Sequence, residues 1–341
     1  MGRNHIAALT VLLVSLLPSG AHAQASNDFY QGKTISFIVG AGAGGSYDSY
    51  ARLLAAHMTQ YIPGNPQIIV KMAGGVGGGI STAVQVEHSA PKDGTVIGMT
   101  QHTNVISQLT EPSVAGKYDV SRWRWIGNLA NLRNILAVWH TAPAQNLEDA
   151  RKKEVIIGAT GRNSPTFIVP QALNILAGTK FKIVLGYNGV ADLNLAMERN
   201  EIQARGGSWT SVVAQTPSYI SERKLTPLVV DGLTRDPLIP EVPTRLELAN
   251  TQDQKAAVLV ISGANEFSRA VFLPPGAPLD RLESLRLAFD KTMVDPAFLA
   301  QADQLKLPIE PTSGAALEKI AKDMVSSSSD AISLAKKLLG E

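Results

Sequence analysis

The chain has 341 residues, of which 45% are hydrophobic and 18% are charged, and it contains no cysteine. This composition supplies enough apolar side chains for a sizeable core and excludes a disordered chain. The formal net charge of +2 is too small for a strong attraction to nucleic acid or to anionic lipid. Without disulfides, packing must hold the fold together.

The first 23 residues have the pattern of a secretory signal peptide. Arg3 precedes an apolar run over residues 6–17, and Ala21 and Ala23 give a small-residue cleavage site before Gln24. The apolar run is too short to span a membrane comfortably. Removing the segment takes away one basic residue, so that 30 basic residues face 29 acidic ones. We therefore predict a mature protein that lies in the periplasm.

A strand, a glycine loop and a helix follow. Residues 34–40 are rich in β-branched and aromatic side chains and predict a buried strand. The loop over residues 41–46 has no side chain larger than a methyl group before Ser46, which we predict to be the helix N-cap. The free N–H groups and the dipole of such a helix start can hold an anion without a basic side chain. A plain turn that needs positive φ angles is the alternative.

The same unit then repeats. A strand over residues 67–72 leads into the glycine-rich loop 73–79, and a helix is predicted over residues 80–90. Because ligands bind outside the carboxyl ends of parallel strands, both loops are expected to face one space. A third strand over residues 95–100 ends in the polar segment 101–104, where Thr103 and Asn104 are candidate ligand contacts.

A second set of alternating strands and helices begins near residue 155, which predicts a second parallel α/β sheet. Ser164 is its clearest N-cap, with Pro165 at the first helical position. We place Arg162 and Arg205 at carboxyl ends of strands, where an arginine could fork onto a carboxylate or lie in solvent. The last helices are predicted over residues 279–294, 296–305 and 315–339, with a weak point at residues 326–329 in the last.

Three enzyme or cofactor interpretations are disfavoured. Gly40, Gly42 and Gly45 fit a dinucleotide fingerprint, but Lys71 and Met72 stand where an acidic residue should meet the ribose. The histidines lack zinc-site spacing. No nucleophile elbow of the G-x-S-x-G type is present. We predict a protein that is not an enzyme and has no cofactor, no metal and no catalytic residues.

Five motifs together resemble the solute receptors of the tripartite tricarboxylate transporter family, the Bug-type extracytoplasmic receptors, over nearly the whole mature chain. The motifs are GAGGSYDSYAR (42–52), AGGVGGG (73–79) with APKDGT (90–95), GATGRNSP (158–165), YNGVADL (187–193), and PEVPT (240–244) with LPPGAP (273–278).

The resemblance implies an α/β fold, the two-lobed periplasmic binding protein (type II) fold, with a ligand cleft between the lobes. We predict that residues 27–134 and 255–341 form lobe 1 and that residues 135–254 form lobe 2. The expected function is a monomeric receptor that captures a small organic acid by hinge closure and delivers it to membrane transporter subunits. A sensor that signals to a membrane kinase and an exported α/β enzyme are the alternatives.

The resemblance also implies ligand contacts, largely through backbone groups and bridging waters. Asp48 has a second interpretation as a charge at a helix N-terminus. Carried over by position, the first-lobe contacts are Ala43, Gly44, Gly45, Asp48, Val76, Gly77 and Gly78, and the second-lobe contacts are Thr160, Ser164, Thr166 and Asp192.

The chain departs from the family pattern near each expected contact region. Val39 and Gly40 replace the usual Pro-Phe before the first loop, and Lys71 and Met72 replace Asn-Arg before the second. The usual Gly-Thr-Pro turn has become the segment 162–165. These departures leave the fold expectation intact and leave the identity of the ligand open.

Overall fold

The computed structural model describes residues 29–73, 79–162 and 164–340. The predicted signal peptide lies outside these residues. In the described part of the chain, two mixed β-sheets are flanked by helices. The strands are β1 (Thr34–Val39), β2 (Gln67–Met72), β3 (Val96–Met99), β4 (Arg124–Asn128), β5 (Asn134–Trp139), β6 (Val155–Ala159), β7 (Phe181–Leu185), β8 (Ala204–Ser208), β9 (Leu225–Asp231), β10 (Ala270–Leu273) and β11 (Thr312–Ser313).

The helices alternate with the strands in both halves of the fold and dominate the end of the chain. They are α1 (Ser46–Met58), α2 (Ile80–His88), α3 (Thr103–Thr110), α4 (Leu147–Lys152), α5 (Pro165–Leu176), α6 (Val190–Glu198), α7 (Trp209–Gln215), α8 (Pro217–Ser221), α9 (Gln252–Gly263), α10 (Leu279–Met293), α11 (Pro296–Gln304), α12 (Gly314–Val325) and α13 (Ser329–Leu339).

Two helix predictions need correction. The single helix expected over residues 315–339 is two helices, because Ser328 acts as an N-cap that accepts a hydrogen bond from the Ala331 N–H at 3.1 Å. Helix α9 was not predicted. Its sequence signal is a capping box, in which Thr251 and Gln254 satisfy each other's backbone N–H groups.

The two sheets share one topology. The first sheet runs β2-β1-β3-β10-β4-β11, and the second runs β7-β6-β8-β5-β9. In each, three neighbouring strands are parallel, and the next is an antiparallel strand that follows a crossing from the other sheet. The prediction of a two-lobed α/β fold is confirmed. The lobe boundaries at residues 134 and 254 stay a prediction.

Buried faces of the strands fix the position of the loops that follow them. Ile35, Phe37 and Val39 of β1 are fully buried and share a cluster with Leu54 of α1 and Phe289 of α10. Burial of each such side chain contributes about 1.5–3 kcal/mol. Because β1, β2 and β3 are parallel, the loop after β1 lies at the same edge of the sheet as the end of β2.

The C-terminal helix α13 packs against both lobes. Ala335 and Leu338 of α13 share an apolar cluster with Ala172 and Leu176 of α5 and with Val258 of α9. Helix α13 also contacts α3 in the first lobe. Movement of one lobe relative to the other must therefore preserve this cluster or slide along it.

Candidate functional site

The first glycine loop leaves β1 and enters α1 directly. Ser46 is the first helical residue, so its prediction as N-cap was wrong; Gly45 takes that position in an extended conformation with φ −91° and ψ 177°. The Ser46 hydroxyl instead accepts a hydrogen bond from Arg269 Nη2 at 2.8 Å. Gly42 and Gly44 face open space, since no atom lies within 4 Å of the position that a Cβ would take at either residue.

Asp48 holds this loop in shape. Its buried carboxylate accepts the Gly44 N–H at 2.9 Å and pairs with Arg52 Nε at 2.6 Å. The Gly44 N–H is thus engaged within the protein, and the loop geometry depends on the carboxylate. The observed contacts agree with a role for Asp48 at the start of the helix. Its direct contact with a ligand, like those of Ala43, Gly44 and Gly45, stays a prediction.

The two glycine loops meet at Gly40 and Gly79. A Cβ at Gly40 would lie 3.0 Å from the Gly79 Cα atom, and one at Gly79 would lie 2.7 Å from the Gly40 carbonyl oxygen. Gly79 has φ +89°, and its carbonyl oxygen accepts a hydrogen bond from the Thr100 hydroxyl at 3.1 Å. The end of β1, where the first glycine loop begins, therefore lies against the start of α2, as expected for two loops at one edge of the sheet. Val76, Gly77 and Gly78 lie outside the described residues.

Thr103 and Asn104 begin α3 at the end of β3, and they differ in their surroundings. Asn104 is buried and donates to the Thr100 hydroxyl, so its amide serves contacts inside the first lobe. Thr103 lines a cavity between the two lobes.

Three predicted hydroxyl residues of the second lobe come together at the start of α5. The Thr160 hydroxyl donates to the Ser164 hydroxyl at 2.9 Å, and those of Ser164 and Thr166 lie 2.8 Å apart. Ser164 is the N-cap and Pro165 the first residue of α5, as predicted. Turn chemistry predicted the Ser164 N-cap, and the family resemblance supplied Thr160 and Thr166; their contact with a ligand stays a prediction.

Asp192 repeats the arrangement of Asp48 in the second lobe. It lies in the first turn of α6, and its carboxylate accepts the Asn188 N–H at 3.3 Å and the Asn188 side-chain amide at 3.0 Å. Both carboxylates thus brace the loop that precedes their helix. Arg162 is exposed, with its guanidinium 5.4 Å from the centre of the Phe167 ring.

Arg205 does not lie where the sequence pattern placed it. It is the second residue of β8 rather than the last, and it is only 2% exposed, which overturns the solvated alternative. Its Nη1 lies 3.4 Å from the Gly206 carbonyl oxygen, and its Nε has no hydrogen-bond partner among the described residues. Burial lowers the pKa of the guanidinium to about 10, and nearby Tyr219 opposes that shift. Arg205 therefore remains a cation at neutral pH.

A cavity of about 490 Å³ lies between α3 of the first lobe and α5 of the second. Its floor is the region where the chain crosses between the sheets, at the start of β5 and the end of β9. Several polar residues of this floor were not predicted, because no local motif marks them. The lining residues are His102, Thr103, Ile106, Ser107, Thr110, Glu111, Leu132, Asn134, Pro165, Ile168, Asp231, Ile261, Asn265 and Leu339.

The floor of the cavity holds neutral donors and one compensated charge. Asn134 is buried, and its Nδ2 has no acceptor in the part of the chain that the structure describes. Asp231 pairs with Arg245 Nη2 at 2.6 Å. Burial, with a further contribution from Arg269, lowers the pKa of His102 to about 4, against the effect of Asp231. His102 is thus neutral at pH 7.

Arg269 and Tyr47 connect this floor to the first glycine loop. The Arg269 guanidinium lies 4.1 Å from the centre of the Tyr47 ring. The Tyr47 hydroxyl lies 3.4 Å from His102 Nδ1 and accepts the His102 N–H at 3.3 Å. Because Arg269 directly precedes β10 and also donates to Ser46, it fixes the start of α1 against the start of β10. Tyr47 connects this helix start to His102, which follows β3.

Among the described residues, no helix is both long and apolar enough to cross a membrane. The same residues contain no cluster of three or more side chains suited to hold a metal ion.

Comparisons with known proteins identify relatives of this architecture. A family model described as "Tripartite tricarboxylate transporter family receptor" matches residues 50–335. The "UPF0065 protein in tcbD-tcbE intergenic region" of Pseudomonas sp. (strain P51) is 25% identical over 335 residues, which cover 94% of this chain and 90% of the relative.

Solved structures show the same fold. A TctC solute binding protein from Polaromonas, solved with no ligand, has a TM-score of 0.68 and 20% identity, with 91% of this chain and 99% of that chain covered. The R. palustris protein Rpa4515, solved with adipate, has a TM-score of 0.53 and 17% identity, with 90% and 97% covered.

Proposed function

We propose that this chain, which belongs to the tripartite tricarboxylate transporter receptor family, captures a small organic acid between its lobes without catalysing a reaction. The observation that carries the proposal is the cavity between α3 and α5, which both lobes line. Its volume of about 490 Å³ lies within the range of small-molecule sites. Its lining combines apolar side chains with a few polar groups, as is usual for sites that bind and orient a small ligand.

Helix starts at the carboxyl edges of the two sheets favour an anionic ligand. The glycine loop of α1, the N-terminus of α3 and the hydroxyl cluster at α5 all belong to the carboxyl edges of the two sheets. Their N–H groups and dipoles stabilise negative charge. The structural neighbour solved with adipate agrees with a carboxylate as the ligand class. We infer that first-lobe backbone groups and second-lobe hydroxyls share the carboxylate.

The proposal is tested by a thermal-shift screen of an organic-acid library, followed by calorimetry. A ligand that binds only the folded state raises the melting temperature. We expect one or more small carboxylates to bind with a dissociation constant in the micromolar range or below, and the enzyme alternative predicts turnover of the same compounds. Absence of binding across the library, or conversion of a library compound into product, would contradict the proposal.

We infer that the receptor closes like a hinge and works as a monomer. A ligand can drive closure only by its additional affinity for the closed state, which second-lobe contacts must supply. The saturating ligand is therefore expected to reduce the radius of gyration in small-angle X-ray scattering, at a mass that corresponds to one chain. A scattering curve that is unchanged by saturating ligand would limit binding to the first lobe.

We further propose that the receptor works in the periplasm and delivers its ligand to the membrane subunits of a transporter. The supporting pattern is the signal-peptide sequence that ends at Ala23. N-terminal sequencing of periplasmic material is expected to give Gln24 as the first residue. A mature form that retains residues 6–17 would overturn this prediction.

A further inference from the structure

The second lobe contains a buried cation whose charge the described residues leave uncompensated. Arg205 is 2% exposed, and among those residues its Nε has no hydrogen-bond partner and Tyr219 is the only titratable neighbour that affects its pKa. The Tyr219 hydroxyl donates to Glu198 at 2.5 Å and so is engaged elsewhere. A buried ion without a partner is strongly unfavourable, so such a residue is expected to have a counterion in the working state of the protein.

The Arg205 side chain points toward the carboxyl edge of the sheet. The side chain runs along its own strand, because Nη1 lies 3.4 Å from the Gly206 carbonyl oxygen and 3.0 Å from the position of a Cβ at Gly207. The same Cβ position is 4.0 Å from a methyl group of Val190, the first residue of α6. Gly207, with φ +139°, therefore leaves room for the guanidinium beside the N-terminus of α6.

A second unused hydrogen-bond donor lies in the apolar cluster that contains Tyr219. Trp209 is 3% exposed, and its indole Nε1 has no acceptor among the described residues. Trp209 packs in one apolar cluster with Leu193 of α6 and with Tyr219. A carboxylate oxygen can accept from both a guanidinium and an indole N–H.

From these observations we propose that Arg205, with Trp209 as a second donor, forms an anion subsite beside the start of α6 that selects ligands with two carboxylates. The inference rests on the proposed function, in which first-lobe backbone groups and second-lobe hydroxyls share one carboxylate. The second carboxylate then reaches the carboxyl edge of β8 and compensates the Arg205 charge. The bound ligand thereby supplies the counterion that the described residues lack. Since Arg205 belongs to the second lobe, this contact favours closure of that lobe onto the ligand.

The test compares matched pairs of acids on wild-type protein and the Arg205→Met variant by calorimetry. The probes are succinate, glutarate and adipate against butyrate, pentanoate and hexanoate. A charge-assisted hydrogen bond contributes about 1.5–3 kcal/mol, so Arg205→Met is expected to weaken the preferred diacid by about 10- to 100-fold. The monoacid of equal length should change by less than about threefold. Arg205→Lys should keep part of the preference for diacids.

The unliganded proteins give an independent measurement. Because methionine removes an uncompensated buried charge while retaining much of the side-chain volume, Arg205→Met is expected to raise the melting temperature of the ligand-free protein. A structural role for Arg205 predicts a fall instead. The matched control is Arg199→Met, an exposed arginine at the end of α6, which should change neither the affinity ratio nor the melting temperature.

The outcomes separate the two proposals. If wild-type protein binds a monoacid as tightly as its diacid, or if Arg205→Met leaves the ratio unchanged, the anion subsite is wrong and the receptor proposal stands. Failure of Arg205→Met to fold would point to a structural role. In that case the Arg205→Lys variant decides: if its affinity ratio of diacid to monoacid equals that of wild-type protein, the subsite is rejected. If wild-type protein binds no acid of any kind, both proposals fail.

Discussion

Asp231→Ala is expected to lower the free energy of unfolding by about 3–5 kcal/mol. The Asp231 carboxylate accepts from Arg245 Nη2 at 2.6 Å and from the Ser262 hydroxyl at 2.7 Å, and Arg245 is fully buried. Removal of the carboxylate leaves the guanidinium in the interior with the Ser262 hydroxyl as its remaining side-chain partner. The loss is measured by urea denaturation followed by circular dichroism.

A control and a compensating variant make the result specific. Glu148→Ala removes an exposed pair with Lys152 and is expected to cost less than about 1 kcal/mol. The double variant Asp231→Leu with Arg245→Met should recover much of the loss, because apolar residues of similar volume often replace a buried ion pair without penalty. A loss below about 1 kcal/mol for Asp231→Ala would show that the pair does not hold the crossing region together.

This ion pair connects three segments that meet where the chain crosses between lobes. Asp231 ends β9, Arg245 lies in the following connection, and Ser262 belongs to α9. Asn265 adds a hydrogen bond from its side-chain amide to the Asp231 carbonyl oxygen at 3.0 Å. The floor of the cavity is thus cross-linked by buried polar contacts, so hinge motion must occur around this region rather than through its rupture.

Local patterns predicted the parts of the site that depend on a few consecutive residues. The first glycine loop and the N-cap Ser164 follow from turn chemistry and from the end of a buried strand, whereas Thr160 and Thr166 came from the family resemblance. The meeting of the two glycine loops followed from their repeated pattern, because parallel neighbouring strands end at one sheet edge.

Non-local packing determined what the sequence could not show. Whether Arg205 lies in solvent or in the interior depends on how α6, α7 and α8, which flank β8 in the chain, pack against the sheet, and no local motif reports that packing. Asn134 and Asp231 become neighbours only through the register of β5 and β9. The error at Ser46 was local. Serine is a favoured N-cap residue, but Gly45 is already extended and takes that position, so the helix begins at Ser46 itself.

Gly45→Val is expected to abolish carboxylate binding, with an affinity loss of about 100-fold or more, while the fold is retained. Gly45 is extended at φ −91° and ψ 177°, a conformation that valine adopts readily, and its added Cβ would find its nearest neighbour 3.9 Å away. The side chain would therefore occupy the open space in front of the loop. If loop N–H groups bind the ligand, two charge-assisted hydrogen bonds of about 1.5–3 kcal/mol each are blocked.

Calorimetry with the strongest carboxylate from the screen measures the loss, and circular dichroism verifies the fold. Gly45→Ala should show a smaller loss, since a methyl group fills less of the space. Gly40→Ala serves as a structural contrast, because here we expect the melting temperature to fall. The added Cβ would lie 3.0 Å from the Gly79 Cα atom, which is too close for an undisturbed fold. Gly44 is unsuitable for this test because its φ of +82° makes any side chain strained. If Gly45→Val binds the carboxylate as tightly as wild-type protein, the first glycine loop does not contact the ligand, and the site must lie deeper, at the floor formed by Asn134 and His102.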